Sequence, residues 1–285
     1  MNAFSRSWQL TKLTFDVINK DKELLWFALL SFIFSTAFAV AMVVPTMIGQ
    51  DIDPGNPTVF QIVIIFITYF GLAFIATFFN VCVVYTTKVR FEGDNATFGE
   101  SISFAFPKIG LIVQWSLLSA SVGLLLRLLQ SLASRLGKAG QIIARIVIGL
   151  IGLAWSVATI FVVPVLVYEG LGPVDAVKKS VEVLKRTWGE SLIRSFGLGL
   201  IQFFIFLGII GLSAGLTFLL AAVYPVTGVL IGIGVGVMLL LLMALVFGVA
   251  TTIFNTALYI YANNGKVAAG FDEDTVKNAF QFKQY

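Results

Sequence analysis

Long apolar runs alternate with short polar stretches along the whole chain. Residues 24–49, 58–87, 109–130, 141–168, 192–222 and 226–262 form six such runs. Each is long enough to cross a bilayer core, which takes about 20 apolar residues in a helix. Between the third and fourth, "LLLRLLQSLASRLGKAGQIIARIVI" carries Arg127, Arg135, Lys138 and Arg145 without losing its apolar period. The last run is longer than a perpendicular crossing requires, so it is expected to tilt, kink or project. The fold class that follows is all-α: a polytopic membrane bundle of six transmembrane helices with short cytoplasmic amphipathic helices. Residues 1–285 are read as a single membrane domain.

A different period marks residues 173–188. Val174, Val177, Val181, Leu184 and Trp188 fall on one helical stripe, with Asp175, Lys178, Lys179, Glu182, Lys185 and Arg186 on the other faces. Such a helix can lie in the headgroup plane with its cations near anionic lipid phosphates. Pro173 suits a first helical turn, and Gly170 and Gly172 allow the bend before it. The plainer reading of Lys178, Lys179, Lys185 and Arg186 is that they only hold the hairpins in orientation. The arrangement recurs. "FDVINKDKELL" before the first run echoes "VEVLKRTWGESL" before the fifth, and "ATFGESISFAF" after the second run echoes "GFDEDTVKNAF" after the sixth. Three hairpins, 24–87, 109–168 and 192–262, would each follow a short amphipathic helix, giving a parallel repeat.

Composition and charge sharpen this picture. Of 285 residues, 58% are hydrophobic and 12% charged, whereas a soluble domain is about a quarter charged. Lys and Arg stay on the cytoplasmic side of membrane proteins. With six crossings and both termini cytoplasmic, only Arg127, Arg135, Lys138 and Arg145 of the 19 cations fall outside. This is the topology expected of a multi-pass membrane protein with a cytoplasmic N-terminus. The polar first 23 residues and the long first run do not resemble a cleavable signal, so that run is expected in the mature chain. For residues 127–145 two readings stand: an interfacial helical hairpin breaking near Gly137 to Gly140, with its cations on outer-leaflet phosphates, or an exposed loop whose charges stay wet.

Chemistry is sparse. The chain has no histidine and one cysteine, Cys82, inside an apolar run. No paired carboxylates, zinc-binding signature, serine with a base, or phosphate loop occurs within the runs, so an enzyme is the least favoured class and no cofactor is expected. A proton relay would need membrane-embedded carboxylates or histidines, which weighs against a proton-coupled transporter. Polar groups at depth include Ser31, Ser35, Gln114, Asn80 and Asn255. Asn80 and Asn255 both follow Phe near a run's end; they are interhelical hydrogen-bonding groups or a paired polar feature of the bundle. Gly228, Gly232 and Gly236, together with Gly211 and Gly215, form small-xxx-small steps. These favour close packing of helices five and six, with self-association into a homo-oligomer as the alternative.

"SRSWQLTK", "NKDKELLWF" and "VVPVLVYEGLGPVDAVKKSVEVLKRTWGE" resemble an uncharacterised family of prokaryotic six-helix membrane proteins, over the whole chain. Pro164, Glu169, Gly170, Gly172, Pro173, Ala176, Ser180, Trp188 and Gly189 carry the most specific part. A looser similarity extends to the membrane domain fused to some glycerophosphodiester phosphodiesterases; the catalytic domain itself has no counterpart here. The resemblance implies architecture and a prokaryotic plasma membrane, and no activity. The function expected is that of a non-enzymatic membrane protein that binds lipid or scaffolds a partner. The alternative is a transporter or channel for a small or lipid-like solute. Membrane lipids are the expected partners, and nucleic acid is not.

Overall fold

The computed structural model describes residues 14–47, 58–188 and 197–264. Residues 14–20 form α1, and the chain continues through α2 (Glu23–Met47), α3 (Val59–Phe91), α4 (Phe98–Ala105), α5 (Ile109–Ala133) and α6 (Lys138–Ala158). It ends with α7 (Val162–Tyr168), α8 (Pro173–Trp188), α9 (Gly197–Val223) and α10 (Pro225–Asn264). Among the described residues there is no strand. Within those residues six helical spans are long and apolar enough to cross a membrane. Helix is the expected state for such runs, because hydrocarbon offers no partner for backbone N–H and C=O groups.

Polar residues set where the helices begin. Thr58 starts α3 with a capping box: its hydroxyl accepts from the Gln61 N–H at 3.2 Å, and the Gln61 side chain accepts from the Thr58 N–H at 2.9 Å. Thr97 and Glu100 repeat the device at α4, at 3.3 and 2.7 Å. A short 3₁₀ turn, Phe106–Lys108, then leads into α5. At the end of α7, Gly170 adopts φ +65°, a conformation that strains any residue with a Cβ. Its turn lets Gly172 supply the first carbonyl of α8, 2.8 Å from the Ala176 nitrogen.

Three long-range contacts gather helix ends on one face. Asp21, between α1 and α2, pairs with Arg90 near the end of α3. Lys108, before α5, donates to the Leu166 carbonyl in α7 at 3.3 Å. Tyr259, near the end of α10, donates to Glu169 just after α7. This face, which also carries α1, α4 and α8, is called the collar face below. A short helix precedes α2, α5 and α9 in turn, as the echoed segments lead one to expect. The stretch "GFDEDTVKNAF" lies outside the described residues.

The fourth apolar run is one span but not one helix. Residues 159–161 break it between α6 and α7, one turn before Pro164. Proline has no N–H to give the Ile160 carbonyl, and its ring crowds that group. The exposed backbone is repaired from another element. The Phe161 N–H donates to the Ser180 hydroxyl of α8 at 3.1 Å, in a fully buried setting. Residues 127–145 also differ from expectation. Apolar side chains carry α5 on to Ala133 and α6 starts at Lys138, so the turn lies at 134–137 and Gly140 is inside α6. The segment is therefore helical on both sides of a turn that ends at Gly137, a helical hairpin as the first reading has it, but its arms are the end turns of two long helices and not separate interfacial helices.

The core is concentrated toward the collar. Leu24, Phe27, Val81, Ile112, Val165 and Tyr259 are among its fully buried side chains, drawn from α2, α3, α5, α7 and α10. In contrast, α9 packs mainly on α10 and exposes Phe203, Phe204, Leu212 and Phe218. In water such a surface would aggregate; in a bilayer it is the solvated surface. At about 1.5 Å per residue the 40-residue α10 reaches about 60 Å, twice a bilayer core of about 30 Å. It thus projects beyond the hydrocarbon, as its length in the sequence suggests.

Candidate functional site

Asn80 lies in α3, a few turns before the collar, among apolar neighbours. Its Oδ1 sits 3.3 Å from the Thr252 hydroxyl of α10, which is also 3.1 Å from the Gly248 carbonyl oxygen. One hydroxyl proton serves both acceptors. With Oδ1 so engaged, the Asn80 amide turns its N–H donors outward. Across from it, Ser31 and Ser35 lie one turn apart on α2 and therefore share a helix face.

These four polar residues line an open cleft of about 390 Å³ between α2, α3 and α10. Phe27, Phe32, Phe79, Val83 and Leu245 supply its apolar walls. Many hydroxyls in the bundle bond a carbonyl of their own helix. Ser116 donates to the Ile112 carbonyl at 2.7 Å, and Ser213 to Ile209 at 2.7 Å. Ser31 and Ser35 make no such bond, and among the described residues no hydrogen-bond partner is found for either. The cleft thus presents hydroxyl and amide donors with nothing to donate to, against greasy walls. No ionisable side chain lines it.

Around the cleft's collar end, charges are paired across elements. Asp21, with 1% of its side chain exposed, receives two hydrogen bonds from Arg90, one of them from Nε at 2.6 Å. The same guanidinium donates to Asn95 at 2.7 Å. Lys179 lies 3.9 Å from both Glu169 and Glu182, and Lys178 bonds Asp175 at 3.0 Å. The α8 lysines read as lipid contacts therefore differ: Lys178 and Lys179 already face carboxylates, whereas Lys185 is exposed. Arg186 belongs to α8, but its side chain lies outside the description. The docked face of α8 is also not the valine stripe. Ala176, Ser180 and Val183 are buried, with Val177 and Leu184 half-buried beside them, while Val174 is 56% exposed. Small side chains let α8 sit close to the bundle, and hydropathy does not report closeness.

Arg127, Arg135, Lys138 and Arg145 are exposed at the far end of α5 and α6. Near them the two helices part around an apolar crevice of about 580 Å³, lined by Leu132, Leu136, Ile143 and Val147. Asn80 and Asn255 are not partners: Asn255 does not line the cleft, and the bond to Asn80 comes from Thr252, almost one turn earlier on α10. Thr252 carries no signal in the sequence beyond its place in "ATTIFN". The glycines divide likewise. A Cβ on Gly228 would sit 2.3 Å from the Leu220 backbone, one on Gly232 2.1 Å from Thr217, and one on Gly236 2.7 Å from Ser213. Gly211 and Gly215 do not share this seam; a Cβ there would meet open space. Ser213, Thr217 and Leu220 are the face of α9 turned to α10, and Gly211 and Gly215 lie on its opposite side.

The helices, their lengths and their outward apolar surface define a multi-pass, all-α membrane protein. Residues 59–271 match DUF6159, a family of unknown function, and the chain belongs to that family. No curated protein matches it.

Proposed function

We propose that this protein is a non-enzymatic lipid-binding protein of the cell membrane, with its collar face in the cytoplasm. The observation that carries the reading is the α2–α3–α10 cleft. Among the described residues it holds the hydroxyls of Ser31 and Ser35 without partners, beside an Asn80 of which only Oδ1 is engaged, within spans apolar enough to cross a membrane. Ser31 lies eight residues into α2 from Glu23, about 12 Å along the axis. An unpaired polar group in lipid is costly, so an occupant that pairs with it is stabilised. The groups on offer are donors, so the occupant is acceptor-rich and amphiphilic, which describes the ester and phosphodiester oxygens of a glycerophospholipid. Apolar walls suit its chains. The lack of an ionisable lining supports binding without chemistry. The looser likeness to the membrane domain of some glycerophosphodiester phosphodiesterases fits the same reading. The cytoplasmic placement is supported by the Lys and Arg distribution across the two faces.

Native mass spectrometry of the protein extracted in mild detergent tests this. The wild type should retain a phospholipid, and a Ser31→Ala, Ser35→Ala, Asn80→Leu variant should lose it while still folding. Retention of a water-soluble metabolite instead would favour a transporter. An equal lipid complement in the two proteins would remove the cleft from the argument.

A further inference from the structure

Two lysines that no part of the cleft uses converge on the end of α7. Lys88, in the last turn of α3, places Nζ 4.9 Å from the centre of the Tyr168 ring. Lys108, from the turn before α5, reaches the Leu166 carbonyl at 3.3 Å and lies 4.9 Å from the Phe104 ring centre. Both side chains are half-buried, and neither forms an ion pair among the described residues. Glu92 follows Lys88 by four residues on the same helix side, where a pair often forms, yet it is exposed and makes none. Arg90, Lys178 and Lys179 nearby all have carboxylates.

Half-burying an ammonium without a counter-ion is unfavourable, and each carries three N–H donors. The carbonyl end of α7 accounts for Lys108 in part, since cations favour helix C-termini. It does not account for Lys88, which meets an aromatic face and no carbonyl. Beneath Lys88, the Tyr168 hydroxyl is itself buried with no hydrogen-bond partner. Two half-buried cations thus reach the end of α7, one from α3 and one from the turn before α5, beside a tyrosine whose hydroxyl has no partner among the described residues. We propose that Lys88 and Lys108 bind a phosphate group there, supplied by an anionic phospholipid of the collar-side leaflet. The site is independent of the cleft: Asn80 precedes Lys88 by eight residues on α3, about 12 Å away.

The test titrates the full-length protein with phosphatidylglycerol and with phosphatidylcholine and counts bound lipid by native mass spectrometry. Each lysine near anionic headgroups contributes roughly a factor of five in affinity. Lys88→Gln with Lys108→Gln should therefore weaken phosphatidylglycerol binding by about 25-fold and leave phosphatidylcholine binding unchanged. Lys88→Arg with Lys108→Arg should restore most of it. Should the double Gln variant fail to fold, Lys88→Gln alone carries the test with an expected loss of about fivefold. Unaltered phosphatidylglycerol affinity in a folded variant overturns the site. Inorganic phosphate raising the melting temperature of the wild type but not of the variant, with no preference for phosphatidylglycerol, overturns the lipid as its source. Loss of the Ser31, Ser35 and Asn80 donors should remove lipid bound irrespective of headgroup and leave the preference for phosphatidylglycerol over phosphatidylcholine unmoved, which separates this site from the cleft.

Discussion

The Tyr259 hydroxyl of α10 donates to the Glu169 carboxylate at the end of the broken fourth span. Lys179 of α8 approaches the same carboxylate to 3.9 Å. One carboxylate thus ties the end of α7 and the following α8 to α10, about 90 residues further along the chain. Tyr259 is 1% exposed, so its hydroxyl has no water to fall back on. Tyr259→Phe should lower stability by about 1–2 kcal/mol, the scale of a hydrogen bond to a charged group. Thermal melting in detergent would register it, and an unchanged melting point would show the bond to be energetically idle.

The α9–α10 seam makes a second, directional prediction. Gly232→Ala should destabilise the protein by about 1–3 kcal/mol, because its Cβ would need space now filled by Thr217. Gly211→Ala should be neutral or stabilising by up to about 1 kcal/mol, since alanine favours helix and nothing stands in its way. Equal effects at the two positions would contradict the placement of the seam.

Asp21 and Arg90 supply a third. Their ion pair is buried on the aspartate side and bidentate. Removing one partner of such a pair costs about 3–5 kcal/mol when both charges are buried. Arg90 keeps 25% of its side chain exposed, so Asp21→Asn should cost less, about 1–3 kcal/mol. Adding Arg90→Met to Asp21→Asn should recover part of the loss. A double variant destabilised by the full sum of the two single changes would mean the two residues act separately.

The orientation can be checked with thiol labelling in a Cys82→Ala background; Cys82 is buried and free. Cysteines at Asn95 or Asp175 should resist an impermeant reagent applied to intact cells, whereas one at Gly137 should react. Labelling at Asp175 would invert or abolish the cytoplasmic assignment of the collar.

What could be read from the chain tracks the range of the physics involved. Six apolar spans and the α8 helix follow from hydropathy summed over many residues, and the described residues contain six helical spans long and apolar enough to cross a membrane, together with α8. The break at 159–161 follows from Pro164, whose effect falls one turn earlier and was legible in principle. Contacts between helices were not. Asn80 meets Thr252 and not Asn255 because of how α10 crosses α3, and no one-dimensional pattern encodes that angle. The glycine steps on α9 and α10 look alike as motifs, yet only those of α10 face a neighbour. Lys88 and Lys108 are 20 residues apart in the chain; only folding shows that both reach α7.

The bond from Phe161 to Ser180 couples a surface helix to the membrane interior. Lifting α8 from the collar would strip the Phe161 N–H of its acceptor in a place where no water can replace it. The position of α8 and the break at 159–161 are therefore tied through one buried bond. Lys178, Glu182 and Lys185 lie exposed on the outer side of the same helix.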